Sequence, residues 1–320
     1  MKEGTNTNAL NNLSLRGSDS DRSNLKNGIA SPSARNDINC VRIKYKFERF
    51  FKDGLIHIFL IIVSITCLFP LLWMIGSSLK TQKTIFSDMS IFPKHPVWNN
   101  FYDAWAKGGF GMYFLNSLFY TVTVVFGIVI ISSLAAFAFS RLKFPGKNVL
   151  FYMFLAAMMI PLPGSFVPLY VLMTRLHLIN TRIGYILCMI NVGLSFSIYL
   201  LKTFFDKMPV ELEDAARIDG CSRLGIWWNM ALPLARPAIA VIVIFNSLNV
   251  WNEYILATLI FSSKNLMPLQ RGLMIFQGIH ITEYSLLMAG MTITTLPIIL
   301  VYLLMQRHII KGITAGVIVG

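Results

Sequence analysis

The stretch ELEDAARIDG, at positions 211–220, concentrates acidic charge in an otherwise apolar sequence. It contains four of the chain's fifteen acidic residues, Glu211, Glu213, Asp214 and Asp219. Acidic side chains in a first turn stabilise a helix through its dipole, and Gly220 can adopt the positive φ that ends one. Ala215 and Ala216 leave room for a close neighbour. The stretch therefore predicts a short helix, either solvated at a membrane surface or docked against a partner protein, and the small pair favours docking.

A second set of polar residues interrupts a long apolar stretch, in the segment FNSLNVWNEY at 245–254. These candidate substrate contacts are Asn246, Asn249, Trp251, Asn252 and Glu253, together with Asn191 in an earlier apolar stretch. The spacing of Asn249, Asn252 and Glu253 places them on one face of a helix. An acid at the centre of a membrane costs about 2.5–3.5 kcal/mol, so it indicates a function or a specific partner. An aromatic ring beside amides and a carboxylate suits a sugar, and the alternative is that these groups bond to neighbouring helices.

Motifs for catalysis, metal binding and nucleotide binding are absent from the sequence. The four cysteines, at positions 40, 67, 188 and 221, form no C-x-x-C pair, and no H-E-x-x-H or G-x-x-x-x-G-K-[ST] motif occurs. A membrane-embedded enzyme would need a nucleophile–base pair or a metal site within its spans, and none is evident. We therefore expect no catalytic residue, metal or cofactor on this chain, and any energy from ATP must reach it through a partner.

The composition indicates an integral membrane protein. Of the 320 residues, 55% are hydrophobic and 13% are charged, and the mean hydropathy is +0.61, whereas a soluble domain carries about 25% charged residues. The net charge of +13 fits basic cytoplasmic loops at an anionic membrane better than nucleic-acid binding. Because each of six apolar stretches is about long enough to cross a bilayer, the sequence predicts an all-α bundle of six transmembrane helices. Their approximate bounds are 55–79, 114–140, 148–174, 183–201, 237–261 and 284–306.

The loops between these spans predict the orientation of the chain. Six spans put both termini on one side of the membrane, and the segments on that side contain fifteen Lys and Arg against eight in the opposite segments. Both termini, and the long loop 202–236, are therefore predicted to be cytoplasmic. Residues 1–40 are rich in Asn, Ser and Gly, which predicts a disordered tail before a membrane domain at 41–320.

Prolines and a serine predict where helices begin and bend. Pro209 suits the first turn of the acidic helix, and Ser222 can cap a second helix, SRLGIWWNMAL, whose Trp227 would rest at the membrane boundary. The segment LPLARP should stop that helix before the fifth span. The two prolines of IPLPG, at 160–164, predict a kink in the third span because they remove helical hydrogen bonds.

The acidic loop and its surroundings resemble one known family. ELEDAARIDGCSRLGIWWNMALPLARPAIA resembles the E-A-A…G…I-x-L-P loop of permeases in binding-protein-dependent ABC transporters, and is most similar to sugar permeases of the maltose-transporter type. Other segments resemble this family in the same order, from LFPLLWMIGSSLKT and SSLAAFAFSRLKFPGK to MMIPLPGSFVPLYVLMTRLHLINTRIGYIL, WNEYILATLIF and LMAGMTITTLPIILVYLLMQRHIIKGITAGVIVG. The resemblance covers about residues 50–320. Asp214 replaces the usual Glu, and Cys221 replaces the usual Ala.

The resemblance implies a mechanism and a set of partners. The loop around 209–233 would carry the coupling helix, which docks on a cytoplasmic ATPase subunit and moves when two such subunits close on ATP and Mg. The residues that the resemblance assigns to docking are Glu211, Glu213, Asp214, Ala215, Ala216, Asp219 and Gly220. The implied partners are a second permease subunit in a heterodimer, two ATPase subunits, an extracytoplasmic solute-binding protein and a carbohydrate. The location would be a bacterial cell membrane.

A stand-alone secondary transporter or channel subunit is the alternative function. Ion-coupled transport uses acid–base pairs within the membrane, and Glu253 is the only acid in the fifth span. Six spans with a docking loop also resemble half of a pathway, which favours a permease subunit of an ATP-driven carbohydrate importer.

Overall fold

The computed structural model describes the backbone of residues 32–160, 162–278 and 282–317, and the side chains of residues 53–160, 164–278 and 282–303. Residues up to Leu71 form one unit, and residues from Leu72 form a second. The described residues are helical and contain no strand, apart from one isolated bridge between Gln277 and Thr282. The predicted all-helical class is therefore confirmed for this part of the chain.

Helices follow one another along the chain with short connections. They are α1 Pro32–Ser78, α2 Asn99–Lys107, α3 Phe110–Arg141, α4 Lys147–Ala157, α5 Leu162–Arg175, α6 Arg182–Asp206, α7 Val210–Ile218, α8 Arg223–Leu234, α9 Arg236–Asn252, α10 Ile255–Ile260, α11 Leu269–Gly272 and α12 Tyr284–Val317. Residues 1–31 of the predicted tail lie outside the described residues. Helix α1 begins at Pro32, inside the segment predicted to be disordered, because proline fits the first turn of a helix.

Four helices in the described ranges are long and apolar enough to cross a membrane. They are Asp53–Ser78, Phe110–Arg141, Arg182–Asp206 and Tyr284–Leu303. Helices α8 and α9 together count as a fifth, bent by 77°. The bend lies within LPLARP, where Pro237 in the first turn of α9 has no N–H with which to continue the hydrogen bonds of α8.

The third predicted span, 148–174, is interrupted rather than kinked. Helix α4 ends at Ala157, and the residues Met158–Ile160 form turns whose N–H groups bond three residues back. Pro161 lies outside the described residues. Helix α5 then begins at Leu162, with the second proline of IPLPG in its first turn, where the missing N–H is no loss. The predicted third span therefore consists of two helices in the described residues, α4 and α5.

Helices α3 and α6 pack against each other along their lengths and form the centre of the second unit. Gly193 of α6 makes this approach possible, because a Cβ atom there would collide with Ile128 of α3 and with Asn246 of α9. Lipid is as apolar as these side chains, so close packing and interhelical hydrogen bonds, rather than burial from water, hold such helices together.

A buried lysine organises the segment that follows α1. Lys80 is 1% exposed, and its ammonium donates to the carbonyls of Asp88 at 2.6 Å and Ser90 at 2.7 Å. The same ammonium lies 4.8 Å from the ring centroid of Trp73. Asn100 of α2 donates to the carbonyl of Lys80 at 2.8 Å. These bonds fix the path of the chain between α1 and α2.

Candidate functional site

The acidic stretch forms the predicted short helix, α7. Pro209 precedes it, and Glu211 and Glu213 lie in its first turn, where the positive end of the helix dipole favours them. Gly220 has φ of 81°, as predicted for a residue that ends the helix. The hydroxyl of Ser222 then accepts from the N–H of Gly225 at 3.1 Å and caps α8. Local signals therefore set the bounds of α7.

Five of the seven predicted docking residues lie on the protein surface. They are Glu211, Asp214, Ala215, Asp219 and Gly220. The Asp214 side chain is 65% exposed and lies 3.5 Å from Arg217 on the same helix. Ile218 at the end of α7 is also exposed. This face combines acidic groups with small and apolar ones, which suits a protein partner more than free solvent.

The other two predicted docking residues, Glu213 and Ala216, are buried within the chain. A carboxylate oxygen of Glu213 lies 2.5 Å from Nε of Arg141, the last residue of α3. The same arginine donates through Nη2 to the carbonyls of Phe205 and Met208, at 2.7 Å each. Sequence reasoning missed Arg141, because its partners lie far along the chain.

The tryptophan pair of α8 differs from the prediction. Trp227 was expected at the membrane boundary, but it is buried in the protein core, where α8 forms a turn of π-helix over Trp227–Ala231. Its neighbour Trp228 is exposed. Adjacent residues on a helix point in directions about 100° apart, so the rotation of α8 decides which ring faces outward.

The six candidate path residues separate into two sets. The side chains of Asn191, Asn249 and Asn252 are exposed, whereas those of Asn246, Trp251 and Glu253 are engaged inside the chain. Asn246 donates to Ser197 at 3.2 Å and to the carbonyl of Ile242 at 2.9 Å. Trp251 is buried and donates to the carbonyl of Thr294 at 3.2 Å. Its ring is therefore not open to a sugar in this structure.

Glu253 does not lie on the helical face expected for it. Helix α9 ends at Asn252, and Glu253 has an extended backbone. Its carboxylate accepts from the N–H groups of Leu256 at 2.6 Å and Ala257 at 3.1 Å, and from the hydroxyl of Tyr185 at 3.3 Å. The predicted span 237–261 is thus interrupted, because the carboxylate caps the first turn of α10.

The exposed face of α9 carries an aromatic ring and two amides. Phe245, Asn249 and Asn252 follow at steps of four and three residues, and the Phe245 side chain is 54% exposed. Gln270 donates to the Asn252 side chain at 3.3 Å. Sequence reasoning missed Phe245, although the helical spacing within FNSLNVWNEY was visible; Gln270 gave no local signal. We call Phe245, Asn249 and Asn252 the α9 stripe.

Comparisons with known proteins agree on one class of molecule. The family model for "Binding-protein-dependent transport system inner membrane component" matches residues 127–315. The chain is 31% identical over 262 residues to the diacetylchitobiose uptake system permease protein NgcG of Streptomyces coelicolor, covering 81% of this chain and 87% of NgcG. It is 33% identical over 282 residues to the probable ABC transporter permease protein YurM of Bacillus subtilis, covering 88% of this chain and 93% of YurM.

A solved structure shares the fold. The crystal structure of a bacterial ABC transporter involved in the import of the acidic polysaccharide alginate contains a chain that superposes with a TM-score of 0.71 at 23% sequence identity. The superposition covers 81% of this chain and 96% of that chain.

Proposed function

Because this chain belongs to the family of binding-protein-dependent transport system inner-membrane components, we propose that it is the permease subunit of an ATP-driven carbohydrate importer and forms half of the translocation pathway. Permease subunits are transport proteins rather than enzymes. The relative named for diacetylchitobiose uptake supports a carbohydrate as the substrate class. The observation that carries the proposal is the family match over residues 127–315, which includes α7 and the spans on both sides of it.

The proposed topology has six spans with both termini in the cytoplasm of a bacterial cell. Helices α4 and α5 count together as one interrupted span, and α9 with α10, which cover the predicted 237–261, count as another. Helix α7 then faces the cytoplasm, and Cys221, exposed just after it, is a native probe. With Cys40 and Cys67 replaced by serine, a membrane-impermeant maleimide should label Cys221 in inside-out vesicles and not in intact cells. Labelling of Cys221 from outside would contradict this orientation.

The proposed docking contact uses the exposed face of α7. The five surface residues found above would meet a cytoplasmic ATPase subunit, while Glu213 and Ala216 hold the helix from inside. The family implies ATPase and solute-binding partners. We extend this to two ATPase subunits, which would bind ATP and Mg, and to a second permease subunit in a heterodimer.

The docking proposal is tested by reversing one charge. Asp214→Lys places a cation on the exposed acidic face, so ATPase subunits should no longer co-purify and carbohydrate uptake should stop. Asp53→Lys makes the same charge change in α1 and should leave both unchanged. Uptake at the wild-type rate by Asp214→Lys would sink the docking assignment. Solute movement by the purified subunit alone would instead support the stand-alone transporter.

The proposed path runs along the α9 stripe. Exposed amides in a span are costly against lipid, so they indicate a face that meets water or the second permease subunit. Phe245 offers a ring for the CH face of a sugar, and Asn249, Asn252 and Asn191 offer hydrogen bonds to hydroxyls. Asn246, Trp251 and Glu253 complete the proposed path region by holding α9 and α10 in place behind this surface.

A further inference from the structure

We propose that Arg141 is a positioning residue that ties α7 to the cytoplasmic ends of α3 and α6, so that a movement of α7 reaches both spans together. The proposal rests on the docking of α7 proposed above and adds the contact through which the movement passes. Arg141 itself meets no ATPase subunit and no substrate, and it acts through Glu213.

Arg141 contacts three elements at once. It is the last residue of α3, and its Nε pairs with Glu213 of α7 at 2.5 Å. Its Nη2 reaches the carbonyl of Phe205 in the last turn of α6 and that of Met208 in the connection between α6 and α7. The carbonyls in the last turn of a helix lack partners further along the helix, and the guanidinium bonds to one of them, at Phe205, and to the Met208 carbonyl beyond the helix, while it holds the carboxylate. Its planar, fixed set of donors suits this task better than the single ammonium of a lysine.

The ion pair is enclosed, unlike the others near it. The side chains of Arg141 and Glu213 are 10% and 9% exposed, whereas Asp214 is 65% exposed. Breaking an enclosed pair leaves an uncompensated charge, which is far more disruptive than breaking a surface pair. Helix α7 therefore has an outer face that carries Asp214 and an inner face that carries Glu213. The outer face is free to bind a partner protein, whereas the inner face is occupied by contacts within this chain.

A separate bond makes the link selective for α7. Ser140 of α3 donates to Asp206 of α6 at 2.7 Å, and this bond does not involve α7. Loss of the Arg141–Glu213 pair should therefore leave α3 joined to α6 while it removes the ion pair between α7 and α3. A substitution at Glu213 tests the transfer of movement without first separating the two spans.

The test uses the complete transporter, reconstituted in proteoliposomes with its ATPase subunits and loaded solute-binding protein. The transported probe is the first sugar that the wild-type complex takes up from a radiolabelled panel of maltose, diacetylchitobiose and arabinobiose. In Glu213→Ala, the ATPase subunits should stay bound and ATP hydrolysis should continue. Sugar transported per ATP should fall roughly tenfold, within the usual range of coupling between two sites. Glu213→Gln keeps an oxygen beside Arg141 but loses the charge of the ion pair, so it should recover part of this ratio.

Lys202→Gln is the matched control. It removes the ion pair between Lys202 and Asp206, which are 2.6 Å apart within α6. It should leave the amount of sugar transported per ATP unchanged. The double variant Arg141→Met with Glu213→Met replaces the pair by apolar side chains of similar length, a change that enclosed pairs often tolerate. It is the deciding variant if Glu213→Ala does not fold, and it too should assemble with a reduced ratio.

Four results would overturn the proposal. A wild-type ratio in Glu213→Ala, or in the double Met variant, would show that movement reaches the spans by another route. Loss of the ATPase subunits from a folded Glu213→Ala variant would place Glu213 in docking itself. Co-purification of ATPase subunits with Asp214→Lys would instead contradict the proposed docking of α7. Failure of the wild-type complex to take up any sugar of the panel would contradict the carbohydrate assignment, on which the proposed role of Arg141 rests.

Discussion

The N–H of Leu256 donates to the carboxylate of Glu253 at 2.6 Å. The acid that interrupts the fifth predicted span therefore satisfies backbone groups at the start of α10. A second bond, from the hydroxyl of Tyr185 in α6, ties the same carboxylate to a neighbouring helix. A charge that is costly in a membrane is thus matched by hydrogen bonds in this chain.

Glu253→Ala should lower the stability of the purified subunit, because the first N–H groups of α10 lose their acceptor. The expected loss is about 0.5–2 kcal/mol in the free energy of unfolding, the usual cost of removing a helix cap. Thermal unfolding in detergent measures it, with Glu253→Gln, which keeps one oxygen, as the conservative comparison. An unchanged melting temperature combined with altered sugar preference would place Glu253 in the path instead.

Phe245→Ala should weaken uptake of the sugar more than it lowers stability, because half of this ring is open and the remainder contacts Phe196. If the ring stacks on the sugar, its loss should raise the KM of uptake about two- to twelvefold, for a contact of about 0.5–1.5 kcal/mol. The control is Phe126→Ala, another exposed ring, on α3. Equal KM values for the two variants would argue against a sugar contact at the α9 stripe.

Gly193→Ala should destabilise the packing of α3, α6 and α9. The added Cβ would collide with Ile128 and with the side chain of Asn246, and overpacking of this kind costs about 1–3 kcal/mol. Gly164→Ala is the matched control, since nothing lies within 4 Å of its Cβ position in α5. Thermal unfolding of both variants decides the point. A loss of stability in Gly164→Ala as large as that in Gly193→Ala would show that the close approach is not the cause.

Lys80→Met should loosen the segment between α1 and α2. The carbonyls of Asp88 and Ser90 would lose their donor, and each hydrogen bond from a charged group contributes about 1.5–3 kcal/mol to stability. Thermal unfolding and the rate of tryptic cleavage at Lys94 both report this change. The exposed Lys83, replaced by methionine, is the comparison that should behave as wild type. If Lys80→Met resists trypsin as well as wild type does, other contacts fix this segment.

The sequence predicted the helices well where residues close together in the chain determine their bounds. Composition and the length of the apolar stretches predicted a helical membrane protein, and the described spans begin and end close to the predicted bounds. Pro209, Gly220 and Ser222 bounded α7 and α8 for local reasons, since caps and positive φ depend on a few adjacent residues. The interruption at Glu253 was not predicted, because a carboxylate can end one helix and cap the next only when its partners are placed around it.

The sequence by itself determined where α7 begins and ends, that Asn249 and Asn252 share a face of α9, and that the chain lacks a phosphate loop of its own. Tertiary structure alone decided that Glu213 turns inward to Arg141 while Asp214 stays outside, and that Trp251 is covered while Phe245 is open. The physical reason is that helical spacing gives the angles between side chains on one helix, whereas the rotation of that helix against its neighbours depends on packing between distant segments.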